Sequence, residues 1–159
     1  FLVKKRFLIL PVLTALTMTA HAKSLTQSTL SLEQASVLAS EAVKSCSAKG
    51  YNVSVTVVDA AGVTRAVQRM DNAGPHTLTA SYQKAFTSAS SGVATSQLLE
   101  NSNKYPAAKN LGDIPGFLLL AGGVPVKENN TTIGAIGIGG APSGDIDEAC
   151  ALDAIKKLQ

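Results

Sequence analysis

One histidine, His76, follows the first 22 residues of the chain, and its position suits a ligand contact. It comes directly after Pro75, a residue that fits the first turn of a helix, where backbone N–H groups lack partners. The positive end of a helix favours the neutral imidazole, which is the form that ligates iron. One histidine cannot build a tetrahedral zinc site, but it can be the axial ligand of a haem. His76 is therefore our candidate metal ligand, the alternative being an exposed loop histidine without a role.

Two arginines provide candidate contacts for an anion. Arg65 and Arg69 fall on one face of a predicted strand, together with Val63 and Val67. A guanidinium group can hold a carboxylate, such as a haem propionate, through two parallel hydrogen bonds. We select Arg69 and the nearby Asp71 as candidate cofactor-binding residues, although a solvated strand face explains the same pattern.

The last third of the chain carries glycines inside a predicted strand, among them Gly137 and Gly139. Glycine weakens a strand, so it usually marks a place where another backbone or a flat ligand approaches closely. Two interpretations follow, a helix packed tightly on the sheet or a binding surface. Under the second interpretation, Gly137 and Gly139 are cofactor-binding candidates.

Motifs of nucleophilic and phosphate-binding enzymes are absent from the sequence. It contains no Gly-x-Ser-x-Gly elbow and no Gly-Lys-Ser/Thr phosphate loop. Cys46 and Cys150 lie on apolar stripes of predicted helices, where a reactive thiol is not expected. The two cysteines either form a disulfide or are separate buried hydrophobic residues, and the sequence leaves this open.

The start of the chain resembles a secretory signal. A basic cluster at residues 4–6 precedes an apolar run at residues 7–16, and Ala-His-Ala follows at residues 20–22. We predict a signal peptide over residues 1–22, a flexible leader over 23–29 and a single domain over 30–159, exported to the periplasm or secreted. The alternative is an N-terminal membrane anchor, for which the apolar run is short.

Charge and composition exclude a nucleic-acid partner. The formal net charge is +3, but three of the basic residues lie in the predicted signal peptide. The remaining chain is therefore close to neutral, whereas nucleic-acid binding requires a clustered basic stripe. We also expect no membrane span after removal of the signal peptide.

The order of predicted elements indicates an α+β domain. Ser31 and Gln34 form a capping box that starts the first helix. Apolar periodicity and turn residues then predict the remaining elements, which are a hairpin over residues 52–70, helices over 75–92 and 96–103, strands over 117–120, 124–127 and 132–138, and a helix from Ser143 or Asp145. This gives a mainly antiparallel sheet of about five strands with helices packed on its faces.

Six segments together resemble one protein family. They are Val-Val-Asp-Ala-Ala-Gly at 57–62, Arg-Met-Asp-Asn-Ala at 69–73, Lys-Ala-Phe-Thr-Ser-Ala at 84–89, Gly-Gly-Val-Pro-Val at 122–126, Ile-Gly-Ala-Ile-Gly-Ile-Gly-Gly-Ala at 133–141 and Asp-Glu-Ala at 147–149. In this order they resemble the GlcG/HbpS family, a former domain of unknown function that is often called haem-degrading. The sequence departs from the family pattern at Asn72, where glycine is common, and in its pair of cysteines.

The resemblance implies a three-layer α/β/α domain that forms symmetric homo-oligomers. Some exported members bind haem or iron and signal to a sensor partner, whereas others accompany glycolate or diol metabolism. Oxidative haem degradation is implied by the resemblance alone, because no residue here identifies that chemistry.

These observations predict an exported, oligomeric haem-binding protein that sequesters, transports or senses haem. His76 is the expected axial contact and Arg69 the expected propionate partner. An alternative is an accessory module without haem that binds a small hydroxy acid near Arg69, Asp71 and the glycine strand. A third interpretation is a structural assembly subunit.

Overall fold

The computed structural model of the chain describes residues 22–158. The predicted signal peptide lies outside these residues except for Ala22, so it stays a prediction. Residues 22–30 contain no helix or strand. The elements that follow are α1 (Leu32–Ala48), β1 (Ser54–Asp59), β2 (Thr64–Arg69), α2 (Thr77–Ser91), α3 (Thr95–Lys104), β3 (Gly123–Glu128), β4 (Thr131–Gly139) and α4 (Gly144–Ile155). Short 3-10 turns connect α3 to β3 and follow α4.

The strands form one antiparallel sheet in the order β2-β1-β4-β3. The α+β class is confirmed, but the described residues contain four strands rather than five. Residues 117–120 were expected to form a strand and do not. The Leu118 amide donates to Thr87 Oγ1 at 2.9 Å, and the Leu120 carbonyl accepts from Thr95 Oγ1 at 2.7 Å. Because helix side chains satisfy this backbone, the segment does not pair with another strand.

Three layers result from the way in which β1 buries both of its faces. Val55 and Val57 point towards α1 and belong to the main apolar core, which also contains residues of α4. Ser54 and Thr56 point towards α2 on the opposite face of the sheet. The α/β/α arrangement implied by the resemblance is therefore present. No helix within residues 22–158 is both long and apolar enough to cross a membrane.

Helix α2 lies unusually close to the sheet. A Cβ atom at Gly137 would be 2.0 Å from the carbonyl oxygen of Ser81, and one at Gly123 would be 2.3 Å from that of Lys84. Neither distance leaves room for a side chain, because a helix backbone cannot move away cheaply. The glycine strand therefore serves tight packing of a helix on the sheet, the first of the two interpretations.

Paired hydroxyl groups fill the rest of the contact between α2 and β1. Ser54 Oγ lies 2.7 Å from Thr77 Oγ1, and Thr56 Oγ1 lies 2.8 Å from Ser81 Oγ. All four side chains are buried. Small hydroxyl side chains suit this narrow space, and each pair satisfies polar atoms that would otherwise be buried without a partner.

A disulfide between Cys46 and Cys150 joins α1 to α4. Their Cα atoms are 5.5 Å apart, and both residues are fully buried. The structure thus selects the disulfide from the two alternatives that the sequence left open. The bond connects positions 104 residues apart and ties the start of the domain to its end.

Replacing Gly137 with alanine tests the close packing of α2. The added methyl group would contact the α2 backbone, so we expect the free energy of unfolding to fall by about 1–3 kcal/mol or more. Gly112→Ala is the matched control, because a Cβ atom there meets nothing within 4 Å. Urea unfolding of both variants measures the difference, and equal stabilities would contradict the packing.

Replacing both cysteines with alanine tests the disulfide. The crosslink restricts the unfolded chain over a long loop, so its loss should lower the free energy of unfolding by about 2–5 kcal/mol. Urea unfolding with and without a reductant measures this. Reduction should destabilise the unmodified chain and leave the double variant unchanged; an unchanged transition in the reduced, unmodified chain would contradict the bond.

Candidate functional site

The side chains of Arg69 and His76 both contact residues of the loop at 70–76, between β2 and α2. Arg69 ends β2, and its Nη2 donates a hydrogen bond to the carbonyl of Ala73. The imidazole of His76 lies against Gly74, the residue after Ala73, because a Cβ atom at Gly74 would be 3.0 Å from His76 Cε1. The two side chains thus contact successive residues of one loop.

His76 occupies the position immediately before α2, one residue earlier than a first-turn position. It is exposed, and its side chain does not cap the helix. Thr77 fixes the loop beneath it, since Thr77 Oγ1 donates to the Gly74 carbonyl at 2.6 Å. The imidazole is therefore presented to solvent from a loop that is held by the buried start of α2.

Asp71 is exposed in the same loop, two residues after Arg69 in sequence. Three of the predicted site residues, Arg69, Asp71 and His76, consequently share one stretch of chain. An imidazole, a guanidinium and a carboxylate at such a loop provide polar groups for an anionic ligand.

Gly137 and Gly139 do not share this surface. Both are buried, and Gly137 lies directly beneath the backbone of α2. A Cβ atom at Gly139 would be 3.5 Å from both Ala80 Cβ and the Thr77 carbonyl oxygen. Because α2 occupies this side of β4, a ligand has no access to either glycine in the described arrangement.

A multi-ligand metal centre is not formed by the described residues. Within residues 22–158, no group of three or more His, Cys, Asp or Glu side chains is placed to hold a metal ion. Among these residues His76 therefore belongs to no cluster of metal-ligating side chains.

The structure contains a buried ion pair that the sequence analysis did not identify. Lys84 Nζ on α2 donates to Asp147 Oδ2 on α4 at 2.9 Å and to the Ile138 carbonyl at 2.8 Å. Asp147 Oδ1 also accepts from the Ala141 amide at 3.1 Å. The side chains are only 2% and 3% exposed, so the pair links the two outer layers and is closed to ligands.

Burial raises the pKa of the Asp147 carboxyl above its ordinary value, although the Lys84 ammonium group favours the charged form.

The sequence contains a signal for this buried ion pair. Lys84 falls on the stripe of α2 formed by Thr77, Ser81, Ala85 and Ser88, whose members are otherwise small and buried. A lysine on such a stripe requires a buried partner.

A cleft of about 480 Å³ lies between α1 and the C-terminal end of α4. None of the predicted site residues lines it. Lys44 contacts Glu41 at 2.7 Å, and Asp153 accepts from Ser45 at 2.7 Å and pairs with Lys49 at 3.0 Å. The Ser45 hydrogen bond and Lys49 lower the pKa of Asp153. We interpret this cleft as a solvated, ion-paired surface.

Comparisons with known proteins agree with the fold and the resemblance. A family model described as haem degrading protein HbpS-like matches residues 30–156. A double mutant of HbpS from Streptomyces reticuli is 41% identical, with a TM-score of 0.82 over 92% of this chain and 99% of that chain. Protein ORFY of Klebsiella pneumoniae, described by the family model DUF336, is 27% identical, with a TM-score of 0.79 over 89% of this chain and 100% of that chain.

A third similar structure contains the ligand that the sequence analysis selected. It is the complex of PduOC with heme, which is 26% identical, with a TM-score of 0.72 over 80% of this chain and 94% of that chain. A comparison with curated protein sequences gives no match.

Replacing Lys84 with methionine tests the buried ion pair. It leaves the Asp147 carboxyl buried without its cation, so we expect the free energy of unfolding to fall by about 3–5 kcal/mol at neutral pH. The pKa of Asp147 then rises further above its unfolded value. Protonation therefore favours the folded variant, and the stability loss should shrink as the pH falls through that pKa.

The double variant Lys84→Met/Asp147→Leu is the control for this prediction, because it removes both charges. It should recover part of the lost stability in urea unfolding at neutral pH. A double variant that is less stable by the full sum of the two single losses would contradict coupling between the side chains.

Proposed function

We propose that haem is the ligand of this chain, which belongs to the HbpS-like family. The observation that carries the proposal is the family match across residues 30–156, described as haem degrading protein. The similar PduOC structure in complex with heme supports the same ligand. Sequestration, transport or sensing of haem follows as the biochemical role.

The residues of the loop between β2 and α2 fit haem by their chemistry. The exposed imidazole of His76 can serve as the axial ligand, and the Arg69 guanidinium can receive a propionate. Arg69 uses one N–H group on the Ala73 carbonyl and has further donors for a ligand. Bound haem would supply redox-active iron and a strong visible absorption.

Export and self-association are further parts of the proposal. The signal-like residues 1–22 support export, with residues 23–29 as a leader and 30–159 as the single domain. The disulfide between Cys46 and Cys150 supports an oxidising compartment, in which such bonds persist. Homo-oligomers and a sensor or transport partner follow from the family resemblance.

A haemin titration of the chain from Lys23 onwards tests the ligand. We expect a saturable Soret shift near one haem per subunit, because His76 provides a single axial ligand. The His76→Ala variant should lose the spectrum of the imidazole-ligated iron. Tyr105→Ala is the matched control, since Tyr105 is exposed and lies beyond α3, in a different part of the chain.

A saturable shift that is unchanged in His76→Ala would keep haem as the ligand and reject His76 as its axial contact. The absence of a saturable shift in the unmodified chain would reject the haem proposal. In that case, a thermal shift with short hydroxy acids would favour the accessory small-molecule module.

A further inference from the structure

The sequence contains three Asn-x-Ser/Thr triplets, the pattern at which an oligosaccharyltransferase attaches a sugar to asparagine in exported proteins. They begin at Asn52, Asn129 and Asn130. A triplet is modified only where the enzyme can reach both its asparagine and its hydroxyl group. The position of each triplet in the fold therefore decides between them.

The triplet at residues 52–54 is closed to an enzyme. Val53 and Ser54 are fully buried. The backbone of Val53 is held by Met70, whose amide donates to the Val53 carbonyl at 3.0 Å. Ser54 Oγ lies 2.7 Å from Thr77 Oγ1, so the hydroxyl group already has a partner. Folding therefore removes this triplet from the accessible surface.

The other two triplets share the turn between β3 and β4. Glu128 pairs with Thr131, so the turn consists of Asn129 and Asn130 alone. Their φ angles are 48° and 63°, in the left-handed region that asparagine adopts more readily than most residues. Residues 128–131 are all exposed. The tip of this hairpin therefore presents two asparagines to solvent.

The hydroxyl group two positions later distinguishes these two asparagines. For Asn129 it belongs to Thr131, which is exposed. For Asn130 it belongs to Thr132, which is half-buried beside the end of α2, since a Cβ atom at Gly92 would be 3.3 Å from Thr132 Oγ1. The transferase recognises the asparagine and the hydroxyl together. Access to both groups therefore selects Asn129.

We propose that Asn129 is an N-glycosylation site of the folded chain. The co-reactant is an oligosaccharide carried on a lipid diphosphate. Asn129 Nδ2 forms a bond to C1 of the first sugar and gives one proton to a base of the transferase. The bond between C1 and the diphosphate oxygen breaks, and the lipid diphosphate leaves with the electron pair. This inference rests on export, which is part of the proposed function, and is independent of haem.

A glycan on Asn129 lies far from the loop at residues 70–76. Strand β4 runs nine residues away from the turn, which corresponds to about 30 Å. Its far end lies beside the start of α2, because a Cβ atom at Gly140 would be 3.3 Å from Thr77 Cγ2. The sugar therefore leaves His76 accessible, and haemin affinity should be the same with and without it.

Glycan transfer to the purified, folded chain from Lys23 onwards tests the site. The chain is incubated with an oligosaccharyltransferase and a lipid-linked oligosaccharide, and an Asn-x-Thr peptide in the same reaction confirms that the enzyme is active. We expect the intact mass to increase by one glycan. Enzymatic removal of the glycan in H₂¹⁸O converts the modified asparagine to labelled aspartate, which should be found at residue 129. In the reduced, unfolded chain Asn52 should be modified as well.

Variants of the two threonines test the choice of Asn129. Thr131→Val removes the recognised hydroxyl group and keeps both asparagines of the turn, so it should abolish transfer. Thr131→Ser keeps a hydroxyl group and should retain transfer. Thr132→Val is the matched control, because it removes only the hydroxyl group of the Asn130 triplet and should leave transfer unchanged.

Three results would overturn this assignment. An unmodified folded chain in a reaction that modifies the peptide would reject the turn as a glycosylation site and leave export and haem binding untouched. Labelled aspartate at residue 130 or 52 of the folded chain would reject the choice of Asn129. Retention of the full chain in the cytoplasm of the producing cell would reject export, and with it the encounter with the transferase.

Discussion

The backbone of α2 lies so close to β3 and β4 that only glycine fits beneath it at Gly123 and Gly137. Close approach of this kind removes space for large apolar side chains, and paired hydroxyls on β1 and α2 replace them. It also brings Lys84 within reach of the Ile138 carbonyl and of Asp147. The cost of burying that ammonium group is offset only because both partners are in place. The glycines, the paired hydroxyls and the ion pair therefore act together to hold α2 against the sheet.

The position of α2 determines which part of the sheet stays exposed. Since the helix covers β1, β4 and β3, the edge strand β2 keeps one face open. The start of the helix follows the loop that Arg69 contacts, and His76 lies beside Gly74 of that loop. Buried packing at the centre of the sheet thus accounts for an exposed surface at its edge. The disulfide between α1 and α4 stabilises the opposite layer and takes no part in this surface.

Local patterns in the sequence predicted most of the fold. The capping box at Ser31 and the alternation in β1 depend on neighbouring residues, and the structure confirms both. The apolar spacing predicted the helix α2, but Leu78 and Tyr82 on that stripe are exposed and the buried face consists of small residues and Lys84. The strand predicted at residues 117–120 is absent. An apolar run does not reveal whether its backbone pairs with a strand or with helix side chains. The Lys84–Asp147 pair and the disulfide join residues 63 and 104 positions apart, so they required the tertiary structure.

The candidate site was predictable in part. Arg69, Asp71 and His76 are close in sequence, so the chain itself places them on one loop. The role of the glycines could not be decided, because a covering helix and a flat ligand leave the same signal in a strand. Arg65 was predicted to share a strand face with Arg69, but the register of β2 on β1 shifts beside it, and this irregularity leaves no signal in the alternation.

Haemin affinity in the Gly137→Ala variant is the most direct test of the link between α2 packing and the binding surface. Gly137 is buried beneath α2 and cannot contact a ligand on β2. If the position of α2 on the sheet determines the shape of the exposed surface beside β2, this variant should bind haemin more weakly while still folded. The variant lacking both cysteines, which perturbs the opposite layer, should keep its affinity. Unchanged haemin affinity in folded Gly137→Ala would contradict the account.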